Sequence, residues 1–443
     1  MRYIKSYNNT ADLRIDLVAG ELGHPYVAKV NNTIDFDSIT KNWENEYFTI
    51  IALTDGTISY SHKNGSNPMF FSINEGEWIE TTVSVDIPVS KNNMIRFKSN
   101  RGNKAYDNNK GTFTSGGTAQ FAVAGNLMSL VAGDDFATYV PYTSATESNG
   151  DLYRSFRYFF KYCTGLISAK NLIIKYCDNY AFREFFNGCT NLLMPPELPA
   201  TTLANYCYQN MFQKCTKLTT APKLPATTLA DYCYNSMFYG CTSLTTAPEL
   251  PATDLASECY SGMFYGTNVL PDCSNIDFAS STVLASGGLQ GLFSGTKVTD
   301  NDLERLLPKN DNGRYYLPAT TLTGRCYYNM FKGCTSLTTA PELPATTLAT
   351  NCYEFMFYKC TSLTTAPELP ATTLVGNCYY NMFKGCTSLN YIKCLATSIS
   401  ASDCTNNWVY GVASTGTFVK ASSMTSWKTG ASGIPSEWTV QNA

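Results

Sequence analysis

Any chemistry in this chain would have to start from 17 cysteines, two histidines and a set of recurring carboxylates. Most of the cysteines fall into two ladders. One is Cys207, Cys233, Cys259, Cys326, Cys352 and Cys378. The other is Cys163, Cys189, Cys215, Cys241, Cys334, Cys360 and Cys386, with Thr267 taking one place. Within a unit the two ladder positions are eight residues apart. On a helix that separation is about 12 Å, beyond the reach of a disulfide. There is no CxxC pair, and His24 and His62 are too few for a zinc site. The thiols therefore read as small buried hydrophobes. Neither histidine sits in a Cys–His or Ser–His pattern, which argues against nucleophilic catalysis. Glu249, Glu342 and Glu368 recur once per unit beside a proline and read as a solvated face. Asp134-Asp135 reads as a loop N-cap in preference to a cation site. No phosphate-binding glycine motif is present. The expectation is a protein with no catalytic residue, cofactor or metal.

Those ladders must be positioned by a repeat. Met211, Met237 and Met263 are 26 residues apart, as are Met330, Met356 and Met382. A period in the twenties marks units too small to fold alone and stable only when stacked. Phe160, Phe186, Phe212, Phe238, Phe264, Phe293, Phe331, Phe357 and Phe383 count nine units. In each, LPATTLA opens an expected short helix capped by Thr201 or Thr202. Leu203, Cys207, Met211 and Cys215 then form one buried stripe. Leu218 and Ala221 lead into an expected short strand that ends near Pro222. The array breaks once: the Phe264–Phe293 and Phe293–Phe331 spacings are 29 and 38. The inserted NDLERLLPKNDNGRYY predicts a helix capped by Asp300 that carries Leu303, Leu306 and Leu307. It reads as a surface insertion with a small core of its own. Beyond residue 390 the repeat decays, and Trp408, Trp427 and Trp438 read as a cap on the open end.

The front of the chain reads as β structure. NEYFTIIALTDGTISYSHKNG has two β-rich runs around Asp55-Gly56, a hairpin signal. A small antiparallel sandwich or barrel is expected, with the first 35 or so residues as an arm. The net charge of −3 and 15% charged residues argue against a general nucleic-acid binder. The N-terminus lacks the apolar core of a secretory signal, and no run of about 18 apolar residues predicts a membrane helix. The expected architecture is α+β. Residues 1–135 form an N-terminal antiparallel β domain for attachment. Residues 136–390 form a solenoid of 26-residue turns with short parallel strands and short helices, irregular at 267–325. Residues 391–443 form a C-terminal cap.

The stretch Met237-Phe238-Tyr239-Gly240-Cys241-Thr242-Ser243-Leu244-Thr245-Thr246-Ala247 resembles the AFxxCxxLxxI segment of BspA-like (Treponema-type) leucine-rich repeats. Here Met replaces the family's Ala and Ala its Ile. The ELPATTLA dialect and the closing TGTFVK…SGIPSEWTV resemble repeat proteins encoded by gut Bacteroidetes and their phages. That resemblance implies binding without chemistry. The expected role is a structural and recognition component of a phage particle, a fibre or surface decoration, that meets a host-surface protein or glycan. Its N-terminal domain would join other virion proteins, in a homotrimer or another symmetric assembly. A bacterial cell-surface adhesin is the alternative, and a glycan-active enzyme a distant third.

The positions that vary between otherwise equal units point to the binding face. After the first-ladder cysteine come Tyr234-Asn235-Ser236, Tyr327-Tyr328-Asn329, Tyr353-Glu354-Phe355 and Tyr379-Tyr380-Asn381, among others. The first Tyr is constant and reads as packing. The next two positions use residues that antibody-like surfaces favour. With the Tyr239, Tyr265 and Tyr358 row, the candidate binding residues are Tyr239, Tyr265, Tyr328, Tyr358, Tyr380, Asn235, Asn329 and Asn381.

Overall fold

The computed structural model describes residues 29–30, 33–34, 42–62, 68–99, 111–141, 152–267, 287, 289–425 and 427–443. His24, the expected polar loop at 143–150, most of the expected arm and much of the irregular 267–325 stretch lie outside these. Strands β1 (Lys29–Val30) and β2 (Thr33–Ile34) pair with each other. The front of the chain then forms β3 (Phe48–Ala52), β4 (Gly56–Ser61), β5 (Met69–Ile73), β6 (Ile79–Thr81), β7 (Val85–Val89), β8 (Met94–Ser99), β9 (Thr112–Phe113) and β10 (Phe121–Asn126). β11 (Leu166–Ile173) completes a six-stranded sheet of order β11-β10-β3-β8-β5-β6, and β7-β4-β9 forms a second sheet. Alternation sets the faces: in β8, Ile95 and Phe97 are buried while Arg96 and Lys98 point outward. Phe48, Ile50, Tyr60, Phe97 and Phe113 form the core beneath. The Asp55-Gly56 turn is not a hairpin. β3 pairs with β8 and β10 while β4 pairs with β7 and β9, so the turn carries the chain from one sheet to the other.

β11 joins this sheet to the repeats. It lies parallel on β10, while Ala169 N–H donates to the Met194 carbonyl and Leu193 N–H to that of Ile167. Phe113 stacks on Phe160 at 5.3 Å, so one hydrophobic core runs from Phe48 to Trp438.

The expected leucine-rich-repeat solenoid with helices is overturned. The repeat segments contain hydrogen-bonded turns where helices were expected. The α-helices among the described residues are single turns, α1 (Ser129–Ala132) and α2 (Leu303–Leu306). In the unit around Met211, alternate amides point in different directions. Tyr206, Tyr208, Asn210, Phe212 and Lys214 donate sideways to Asp231, Cys233, Asn235, Met237 and Tyr239 of the next unit, at 2.7–3.0 Å. Cys207, Gln209, Met211, Gln213 and Cys215 donate to the carbonyl three residues back, at 3.0–3.3 Å. Every fourth residue is left-handed: Tyr206 (φ 59°), Asn210 (56°) and Lys214 (60°). This triplet recurs in ten units that begin at Arg154, Tyr180, Tyr206, Tyr232, Glu258, Gly287, Arg325, Asn351, Asn377 and Asp403. The true period is thus four residues, not 3.6. Leu203, Cys207, Met211 and Cys215 stay on one line, and all four are buried. The expected strand after Leu218 is reduced to isolated parallel bridges, Thr220↔Thr246 and Thr202↔Thr228, because proline removes the neighbouring donors.

Stacking turn on turn aligns like residues. Phe212, Phe238 and Phe264 lie ring on ring at 5.7 and 5.8 Å. At the C-terminal end Trp408 takes the methionine place, stacks on Tyr379 and Trp427, and donates from Nε1 to the Gly433 carbonyl at 2.8 Å. Strands β12 (Tyr391–Cys394), β13 (Thr417–Lys420) and β14 (Thr439–Asn442) form a parallel sheet there. No helix among the described residues is long and apolar enough to cross a membrane.

Within the insertion Leu303, Leu306 and Leu307 are buried, but Asp300 does not cap their helix. Its carboxylate accepts from Thr338 N–H (2.9 Å), Thr339 N–H (3.1 Å) and the Thr338 hydroxyl (2.5 Å). In an uninterrupted pair of units the equivalent amide finds a backbone carbonyl, as Thr364 N–H finds Thr338. Asp300 therefore stands in for the missing carbonyl where the repeat breaks.

Candidate recognition surface

The left-handed turns decide which side chains face solvent. In each unit the cysteine, the constant tyrosine, the methionine and the phenylalanine turn inward. The residues between them turn out in rows that follow the stack. The candidate tyrosines lie in these rows, in two groups. Tyr239 and Tyr265, in adjacent units, stack face to face at 4.7 Å. Tyr328, Tyr358 and Tyr380 come together in a second group that begins two units beyond Tyr265. The unit between the groups has Gly291, Ser294 and Gly295 at the intervening positions, with Ser294 buried, and no ring to bridge them.

Phe355 joins the second group. Its ring meets Tyr328, Tyr358 and Tyr380 edge-on at 5.9, 5.5 and 5.6 Å. Lys332 Nζ lies 5.5 Å from the ring centres of both Phe355 and Tyr358, and Lys359 Nζ lies 5.4 Å from Tyr358. Phe355 is half-buried and left-handed, with φ 56°. Seven other units place Asn210, Ser236, Gly262, Gly291, Asn329, Asn381 or Asn407 there, residues that tolerate that conformation, while the first two units place Tyr158 and Glu184 there.

The three asparagines have different surroundings. Asn235 accepts from Gln209 Nε2 at 3.4 Å in a side-chain ladder. Asn329 (φ 58°) and Asn381 (φ 51°) occupy left-handed positions, and Asn381 is buried, so backbone conformation explains their type. A second tyrosine stack, Tyr180-Tyr206-Tyr232, has spacings of 4.5 and 4.6 Å. Its ring faces are used up against one another, and the Tyr232 hydroxyl donates to Glu258 at 2.9 Å.

Asp134, Glu342 and Glu368 are engaged by hydrogen-bond partners. Asp134 accepts from the Tyr47 hydroxyl (2.6 Å) and from Lys98 Nζ (2.8 Å). The Lys98 and Tyr47 hydrogen bonds hold its carboxyl below the usual carboxylate range. His62 is buried beside Tyr60. A cleft of about 770 Å³ lies beneath the insertion, lined by Asp300, Arg314, Tyr315, Glu342 and Glu368 among others. Its carboxylates already have partners. Glu342 takes Arg314 and Asn310, and Glu368 takes Lys393.

Sequence pattern did not single out Phe355, Lys332, Lys359, Lys384 or Tyr410, which the structure places beside the candidate tyrosines. The signal for Phe355 was a bulky aromatic where the flanking units hold Asn329 and Asn381. That anomaly is visible only once the four-residue turn replaces the helix. No protein-family model matches this chain, and no curated protein sequence matches it.

Proposed function

We propose that this chain is a non-enzymatic structural and recognition protein, carried on a phage particle as a fibre or surface decoration. The patch centred on Phe355 meets a host-surface protein or glycan. The observation that supports this reading is Phe355 itself. A left-handed bulky side chain costs about 1–2 kcal/mol, and packing inside the stack does not require it, because neighbouring units do without. Left-handed side chains such as Tyr158 and Tyr206 recur along the stack, so what sets Phe355 apart is the cluster its ring makes with Tyr328, Tyr358 and Tyr380. The N-terminal sheet, continuous with the first turn, holds the stack firmly enough to serve as its attachment base.

Phe355→Asn installs the residue that the flanking units use. It is expected to leave the melting temperature unchanged or slightly higher while attachment to host cells falls at least tenfold. Attachment equal to that of the unaltered chain would remove this face from consideration.

A further inference from the structure

Along the stack, one outward row reads Lys332, Tyr358, Lys384, Tyr410, each in the same place of successive units. Lys332 lies over Tyr358, and Lys384 Nζ lies 5.6 Å from the ring centre of Tyr410, which is 59% exposed. Lys359 adds a third ammonium beside Tyr358. The ion pairs among the described residues engage other lysines: Lys98, Lys161, Lys309 and Lys393. The one acid on the adjoining row in these units, Glu354, is held by Asn351. The strip is therefore cationic on a chain whose net charge is −3.

We infer that this strip binds an acidic polysaccharide with at least one anionic group in every disaccharide, lying along the stacking direction. The inference rests on the reading that this face is the binding face. Lys332 and Lys384 are two turns apart, roughly 10 Å at strand spacing and about the length of a disaccharide. Lysine meets a carboxylate or sulfate as a point charge. Tyr358 and Tyr410, placed alternately with the lysines, offer ring surface to sugar C–H groups and a hydroxyl for hydrogen bonding. A neutral glycan would leave three unpaired ammonium groups without a role. A single-stranded nucleic acid needs open ring faces and a cation for each closely spaced phosphate. Here the lysines of the row stand two turns apart, roughly 10 Å, with a tyrosine between them, too widely spaced for successive phosphates.

The test uses the full chain and four probes: a hyaluronan oligosaccharide, chondroitin sulfate, carboxyl-reduced hyaluronan and oligothymidylate. Titration should show binding to the first two that weakens as salt rises. In K332Q/K384Q the affinity should fall about tenfold with the melting temperature unchanged. Equal binding of the carboxyl-reduced polymer, or tighter binding of oligothymidylate, would overturn the inference. So would absence of polysaccharide binding by a chain whose attachment to cells is still lost in Phe355→Asn, a result that leaves the recognition reading standing. Attachment that survives Phe355→Asn removes both.

Discussion

At the scale of single residues, the cysteines show why a residue type repeats without doing chemistry. All 16 described cysteines are free thiols, 15 of them buried. In the second ladder, from Cys189 onward, each Sγ–H reaches back one unit: Cys215 to the Phe186 carbonyl (3.1 Å), Cys241 to Phe212 (3.0 Å), Cys386 to Phe357 (2.9 Å). That carbonyl already accepts an amide from its own turn, so the thiol fills its second lone pair. Where Thr267 and Thr296 replace cysteine, the hydroxyl bonds the phenylalanine of its own turn instead. Burial pushes the Cys241, Cys334 and Cys386 thiols up to about 12 from 9.0. The folded state thus keeps the proton that the unfolded chain releases near pH 9. Stability is complete below that pH and is lost as pH rises toward 12. Each such thiol costs about 1.4 kcal/mol per pH unit across that window. Buried Tyr327, Tyr353 and Tyr379 are shifted upward by burial and add the same sign at higher pH. Denaturant midpoints measured under reductant at pH 7.5, 9.5 and 10.5 should be highest at pH 7.5 and fall steeply above 9. A flat profile would contradict the buried ladder.

At the scale of elements, the repeat was legible in the sequence and its conformation was not. Unit length, the Met and Phe rows and the inward stripe came from spacing alone. The helix came from reading Leu203, Cys207, Met211 and Cys215 as a 3.6-residue stripe, which three spacings cannot separate from a period of four. The left-handed residues were no warning, because Tyr206, Lys214 and Phe355 are not residues that announce that conformation. Half of the amides bond the next unit, a partner that local pattern cannot show. The hairpin failed for the same reason, since Gly56 turns the chain between sheets. Of the candidate site, the Tyr328, Tyr358 and Tyr380 group was legible as variation, whereas Phe355 and the lysines needed the turn geometry. Asp300 belongs to this scale too. Partial burial opposes its charge, but the Thr338 and Thr339 hydrogen bonds outweigh it and lower its pKa. Its contribution is present at neutral pH and lost as pH falls below the ordinary carboxylate value. Asp300→Ala should cost about 1 kcal/mol, discounted for its exposure, and Asp300→Asn less. Urea unfolding at pH 7 and pH 3 checks both the size and the sign.

At the scale of the whole molecule, one core and turn-to-turn hydrogen bonds couple the N-terminal sheet, the units and the C-terminal cap. Nearest-neighbour coupling makes the ends decisive. Trp408 closes the last turn, so Trp408→Ala should cost about 3–5 kcal/mol and lower the melting temperature of the entire chain. Loss of only a small early transition would mean that the cap is independent. The same rigidity lets the outward rows present a fixed spacing to a partner, which is the central claim. Hydroxyl-radical footprinting of the chain, free and attached to host cells, tests it most directly. Oxidation should fall at Phe355, Tyr358 and Tyr380 and stay unchanged at Tyr206 and Tyr232, whose stack lies in earlier units. Equal oxidation of the Phe355 patch in both states, with attachment intact, would contradict the account.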